Sequence, residues 1–143
     1  MEVVQAAVAW VVSQDQTQIL LVQNDDGLWS LPGGRIEDDE GAYAGVIREC
    51  YEETGLRVEI DRLLMVAEGF KTSRPAKVLY FHCLVRLIDP TAQPTIVRPK
   101  EILALKWVTL DEAAGILEYL PLPPRTVLGL SNAGVFQTQP RYP

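Results

Sequence analysis

Between Arg48 and Leu56 the chain reads RECYEETGL, with Glu49, Glu52, Glu53 and one arginine packed into six residues. On a helical wheel of about 100° per residue the three glutamates are related by i+3 and i+4 and share an arc of roughly 100°. Two chemistries suit such an arc: a solvated surface face, or a donor set for a hard divalent cation. Carboxylate oxygens fit Mg²⁺ or Mn²⁺, which accept one or two carboxylates together with water and substrate phosphate oxygens. A solvated face usually mixes lysines among its glutamates, because like charges at i,i+4 destabilise a helix by a few tenths of a kcal/mol. No basic residue falls within this arc. Gly45 does, at a helix-propensity cost of about 1 kcal/mol relative to Ala, and it leaves room beside Glu49 and Glu52. Upstream, the glycines of LPGG, Leu31–Gly34, either make a tight turn or bring a backbone carbonyl close to the same face.

The elements that must position these residues follow from pattern. A helix is expected over Gly41–Thr54, closed by Gly55 as a left-handed cap. Tyr43, Ile47, Cys50, Tyr51 and Thr54 form its apolar stripe, so the carboxylates are expected to point away from the core. Ala6–Val12 and Gln18–Gln23 read as a two-stranded hairpin across SQDQT, followed by a turn at Asn24–Gly27. Leu63–Phe70 and Lys77–Leu87 read as a second hairpin, and Ile102–Val108 as a further strand. Thr109 and Glu112 have the spacing of a capping box opening a second helix. Prolines begin a last short helix in LPLPPRTVLGL, and QTQPRYP looks loose. Interleaving without regular βαβ alternation favours an α/β fold with a mixed sheet.

At 143 residues the chain fits one domain spanning 1–143. A net charge of −6 argues against nucleic acid as a partner and suits the recruitment of cations. Cys50 and Cys83 lack metal-site spacing and read as small core residues. The apolar start MEVVQAAVAWVV has no basic n-region and is too short to span a bilayer, so no membrane partner and a cytoplasmic location are expected.

Gly34 to Leu56, GRIEDDEGAYAGVIRECYEETGL, resembles the signature of the Nudix hydrolases. That signature is a glycine, five residues, a glutamate, seven residues, then Arg-Glu-hydrophobic-x-Glu-Glu-x-Gly-hydrophobic. Gly34, Glu40, Arg48, Glu49, Glu52, Glu53 and Gly55 fill its seven fixed positions, with Cys50 and Leu56 in the hydrophobic ones. Two departures are small: Cys50 replaces a commoner aliphatic residue, and Gly41 replaces the usual capping type. The flanks WSLPGG and ILALKWVTLDEA extend the likeness over most of the chain.

The resemblance implies a Nudix-type α/β/α sandwich around a central mixed sheet. It also implies hydrolysis of a nucleoside diphosphate linked to another moiety, with Mg²⁺ or Mn²⁺. By position, Glu49, Glu52, Glu53 and the Gly33 carbonyl would ligate metal, and Glu40 would complete the outer shell. Arg48 would orient a glutamate by a charge-assisted hydrogen bond. The general base would be Glu49 or Glu101. A homodimer is common among similar proteins. Substrate markers outside the signature have no clear match, which leaves nucleoside triphosphates by elimination, with ADP-ribose or an ADP-sugar, or a sensor that binds without hydrolysis, as alternatives.

Other residues divide between bland and specific roles. His82 reads as a structural histidine, and Trp29, Phe70 and Tyr80 as core aromatics that could instead stack on a base. Lys71, Arg74 and Lys77 surround one loop, and Arg98 and Lys100 flank Glu101. These are phosphate contacts or solvated loop charges.

Overall fold

The structure, a computed structural model, describes residues 2–71 and 75–130, and the backbone of 136–138. In chain order the elements are β1 (Glu2–Val11), β2 (Gln18–Asn24), β3 (Trp29–Ser30), β4 (Gly33–Arg35), α1 (Ala42–Thr54), β5 (Val58–Lys71), β6 (Ala76–Leu87), β7 (Ile102–Thr109), α2 (Leu110–Ile116), α3 (Pro124–Leu128) and β8 (Phe136–Thr138). A five-stranded mixed sheet has the order β4-β1-β6-β5-β8, and a three-stranded antiparallel sheet the order β3-β2-β7.

The first expected hairpin does not form. β1 lies between β4 and β6, pairing antiparallel with β4 over Ala6–Val8 and parallel with β6 along its whole length, so both of its edges carry a partner. β2 therefore crosses to the other sheet and meets the end of β1 only at the isolated bridge Val12–Ile19. The residue pattern explains the crossing. Ile19, Leu20, Leu21 and Val22 are all fully buried, the run expected of a central strand covered on both faces.

Alternate residues of β1 and β2 serve two cores. Ala7, Ala9, Val11 and Leu20 pack with Val46 and Cys50 of α1 on one side. Trp10, Ile19 and Leu21 pack with Leu110 and Ala113 of α2 and Val127 of α3 on the other. The result is the expected α/β/α layering, with two sheets in the middle layer. Cys50 and Cys83 are buried free thiols within the first core.

The remaining local expectations are met closely. The β5–β6 hairpin forms, with β5 beginning at Val58 and two register shifts that bend the pair. Gly27 adopts φ 85° in the Asn24–Gly27 turn. The Thr109 capping box is complete, and Pro124 opens α3. Part of the loose tail is not loose: Phe136–Thr138 adds parallel to β5, while 139–143 lie outside the described residues. No described helix is long and apolar enough to cross a membrane.

Candidate functional site

Arg48 organises the acidic face of α1. Its Nε and Nη2 donate to Glu40 at 3.0 and 2.6 Å, its Nη1 to Glu49 at 2.9 Å and Glu52 at 3.2 Å, and its Nη2 also to the Arg35 carbonyl at 3.0 Å. A planar guanidinium with five donors can hold three carboxylates in fixed relative positions, as an ammonium could not. The hydrogen bond from Arg48 holds the Glu40 carboxyl below its ordinary range, and Glu40 in turn raises the Arg48 guanidinium further.

β4 supplies the opposite wall, and its glycines are required there. A Cβ at Gly34 would lie 2.6 Å from the carboxyl carbon of Glu49, and one at Gly33 would collide with the Ala7 carbonyl oxygen. The Gly33 amide donates to Glu53 Oε1 at 3.0 Å. Burial raises Glu53 to about 8, reinforced by the charges of Glu49, Glu101 and Glu52 and opposed by that amide. Burial raises Glu49 as well, against the pull of Arg48.

This geometry corrects the expected orientation of α1. Its buried side is Gly45, Val46, Cys50 and Thr54, whereas Tyr43, Ile47 and Tyr51 are exposed and the Arg57 guanidinium lies over the Tyr51 ring. The helix is rolled so that Glu49 and Glu53 sit in the seam against β4 rather than pointing away from the core. The space left by Gly45 is also used differently. A Cβ there would meet Ile36 at 3.0 Å and the Glu40 carboxylate at 3.1 Å, so the glycine admits Glu40 rather than clearing Glu49 and Glu52.

Glu101, remote in sequence, is brought to the same edge. Its carboxylate is 3.7 Å from Arg98, which contacts Glu52 at 3.2 Å, and its charge acts on Glu53. Arg35, Glu37, Asp38, Arg48, Glu49, Glu52 and Arg98 line an acidic cleft of about 540 Å³.

Across β4 lies a second cleft of about 250 Å³, lined by apolar β1 residues and by Asn24, Ser30, Gly33, Gly34, Lys71, Tyr80, His82 and Tyr119. Arg35 borders both clefts. Of the candidate aromatics only Tyr80 lines this cleft; Trp29 packs on the core beneath Lys106, and Phe70 lies beside Lys77. His82 is buried and accepts a hydrogen bond at Nδ1 from Trp10, which places the proton of a neutral ring on Nε2. Lys77 pairs with Glu68, and Arg74 lies outside the described residues. Arg35, Asn24, Ser30 and Tyr119 had no signal in the sequence beyond the adjacency of Arg35 to the glycine pair.

The NUDIX domain family profile matches residues 3–128. This chain belongs to the Nudix hydrolase family. A MutT-like protein of Streptomyces ambofaciens is 37% identical over 110 residues, covering 76% of this chain and 66% of that protein. Nudix hydrolase 8 of Arabidopsis thaliana is 31% identical over 114 residues, covering 76% of this chain and 30% of its own length. The chain therefore spans just under two thirds of one relative and about a third of the other. Among solved structures, a MutT Nudix hydrolase from Burkholderia pseudomallei is similar with TM-score 0.71, 26% identity and coverage of 92% of this chain and 100% of that one. An ADP-ribose pyrophosphatase from Streptococcus suis is similar with TM-score 0.64, 27% identity and coverage of 94% and 98%.

Nudix hydrolases generally use divalent metal ions, and the donor set fits one. Among the described residues no three carboxylates stand together at ligating distance; Glu49 and Glu52 share Arg48, Glu52 also bonds Arg98, and Glu53 accepts from the Gly33 amide. The available donors are nevertheless all hard oxygens, and the Gly34 cradle leaves no space for a side chain over Glu49. Like charges crowded against a buried carboxyl are what a divalent cation would relieve.

Proposed function

We propose that the Nudix box of this chain performs cation-dependent hydrolysis of a diphosphate linkage in a nucleoside diphosphate derivative, with nucleoside triphosphates, cut to monophosphate and pyrophosphate, as the favoured class. The observation that carries this reading is the pair of clefts on either side of β4, one aromatic and the other acidic, with Arg35 bordering both. A nucleoside in the aromatic cleft would have its phosphates close to Gly33, Gly34 and the glutamates.

Glu49, Glu52 and Glu53 would hold Mg²⁺ or Mn²⁺, with the Gly33 carbonyl and Glu40 in supporting positions; the ion supplies charge neutralisation and a more acidic water. Arg48 bonds Glu40, Glu49 and Glu52 together and so limits how far the three carboxylates can move relative to one another. Hydrolysis adds the water oxygen to one phosphorus, breaks the bridging P–O bond, and passes the water proton to a carboxylate. We assign that base to Glu49, whose burial raises its proton affinity, over the exposed Glu101. An ADP-sugar is the second substrate class, favoured by the likeness to the Streptococcus suis protein. The same reading takes the protein as a cytoplasmic homodimer acting on a small molecule, supported on the last point by its charge of −6.

Parallel pH–rate profiles of Glu49→Gln and Glu101→Gln test the assignment. Glu49→Gln is expected to lose the basic role while Glu101→Gln retains most of the rate; the reverse pattern reassigns the base. Higher kcat/KM for ADP-ribose than for every nucleoside triphosphate would move the substrate to the second class.

A further inference from the structure

The segment between β6 and β7, residues 88–101, is pinned to the end of α1. Thr95 N–H donates to the carbonyl of Thr54 at 2.7 Å. The absent side chain of Gly55 makes that approach possible: a Cβ there would collide with Thr95 Oγ1 and stand 3.4 Å from Val97. Gly55 is thus needed for its φ of 71° and also for its neighbour. Three residues beyond this clamp, Arg98 reaches into the acidic cleft.

There the two oxygens of Glu52 carry different guanidinium groups. Arg48 holds Oε2 at 3.2 Å and Arg98 holds Oε1 at 3.2 Å. Arg48 is tied to three more carboxylates, those of Glu40, Glu49 and, at 3.9 Å, Glu37, and to the Arg35 carbonyl, and its side chain is 25% exposed. Among the described residues Arg98 forms ion pairs with Glu52 and the more distant Glu101, and its side chain is 46% exposed. Arg98 is therefore the partner of Glu52 that can leave without dismantling the site. A divalent cation on Glu52 would be repelled by a guanidinium on the neighbouring oxygen. The freed guanidinium would remain in the cleft where phosphate oxygens arrive, and its planar fork matches a phosphate.

Resting on the cation-dependent reading above, we propose that Arg98 is a substrate-phosphate residue stored on Glu52: it competes with the cation while the site is empty and pairs with the diphosphate when substrate is bound. The two roles have opposite signs, which a merely structural arginine would not show. Arg98→Ala should tighten Mn²⁺ binding to the protein alone by about 3- to 10-fold, the scale of one partly exposed ion pair. The same variant should weaken binding of inorganic pyrophosphate in saturating Mn²⁺ by about 10-fold or more. With nucleotide substrate, KM should rise more than kcat falls.

Mn²⁺ titration followed by electron paramagnetic resonance, and pyrophosphate titration by calorimetry, test this on wild type, Arg98→Ala, Arg98→Lys and Glu52→Gln. Arg98→Lys, with the charge but not the fork, should keep the Mn²⁺ affinity near wild type and recover only part of the pyrophosphate affinity. Unchanged or weaker Mn²⁺ binding by Arg98→Ala overturns the storage role, and unchanged pyrophosphate binding overturns the substrate role; either result overturns the proposal. A wild type that binds Mn²⁺ no better than Glu52→Gln overturns the cation-dependent reading itself.

Discussion

The two longest helices among the described residues obey opposite rules. α2 follows the local ones: the Thr109 hydroxyl accepts from the Glu112 amide at 3.1 Å, Glu112 returns the bond at 3.2 Å, and Asp111 and Glu112 place negative charge at the N-terminus. α1 breaks most of them. Gly41 gives it no side-chain cap, its first turn has no acid and its last no base, and Gly45 interrupts it. Glu52 and Glu53 stand near its C-terminus, where the helix dipole disfavours them. Beyond its local Gly55 cap, what holds α1 is tertiary: Val46 and Cys50 in the core and the Arg48 network. Local consistency has been given up on the one face where a divalent cation and a diphosphate are proposed to sit, the pattern expected where function competes with stability.

The contrast can be sharpened by breaking each helix in turn. Glu52→Gln should lower hydrolysis on the order of 10³-fold, the loss typical of one preorganised electrostatic group, with thermal stability unchanged or improved; product release and a melting curve on the same sample check both. Arg48→Ala should destabilise by about 2 kcal/mol, allowing for its partial exposure, because it strips the guanidinium from Glu40 and Glu49 and leaves Glu52 with Arg98 alone. Denaturant midpoints read that loss.

The Glu53 carboxyl gives a pH test in metal-free protein. Its folded value, about 8, lies above the ordinary 4.5, so the folded state binds the extra proton between these values. The associated stability is full below about 4.5 and is lost as pH rises through about 8. Melting temperature in chelator should accordingly fall over that window, and Glu53→Gln should flatten the dependence; equal slopes would remove Glu53 as its source. Gly55→Ala should cost about 1.5 kcal/mol through its left-handed backbone and the displaced Thr95. Smallest is Thr109→Ala, at about 1 kcal/mol for a lost cap, with kcat unchanged.

What was legible in the sequence divides along the same line. The α2 capping box, the Gly55 stop and the Asn24–Gly27 turn are rules of adjacent residues, and each formed as expected. The spacing of the box residues was equally readable because helical geometry fixes which side chains share a face. The roll of α1 was not, since Tyr43, Ile47 and Tyr51 satisfy the same periodicity as the stripe that is buried. Nor was the fate of β2, which depends on β4 and β6 having already taken both edges of β1. Arg35, Tyr119 and the reach of Arg98 to Glu52 are products of chain crossings that no local pattern encodes.

The central claim is that the acidic face of α1 makes diphosphate hydrolysis depend on a divalent cation. Its most direct test is release of phosphate products from a panel of nucleoside triphosphates and ADP-ribose by the wild-type protein, in Mg²⁺, in Mn²⁺ and in chelator. Turnover that requires the cation and is fastest with a nucleoside triphosphate is the predicted result. Tight nucleotide binding without turnover in either cation would contradict the claim and make the protein a sensor.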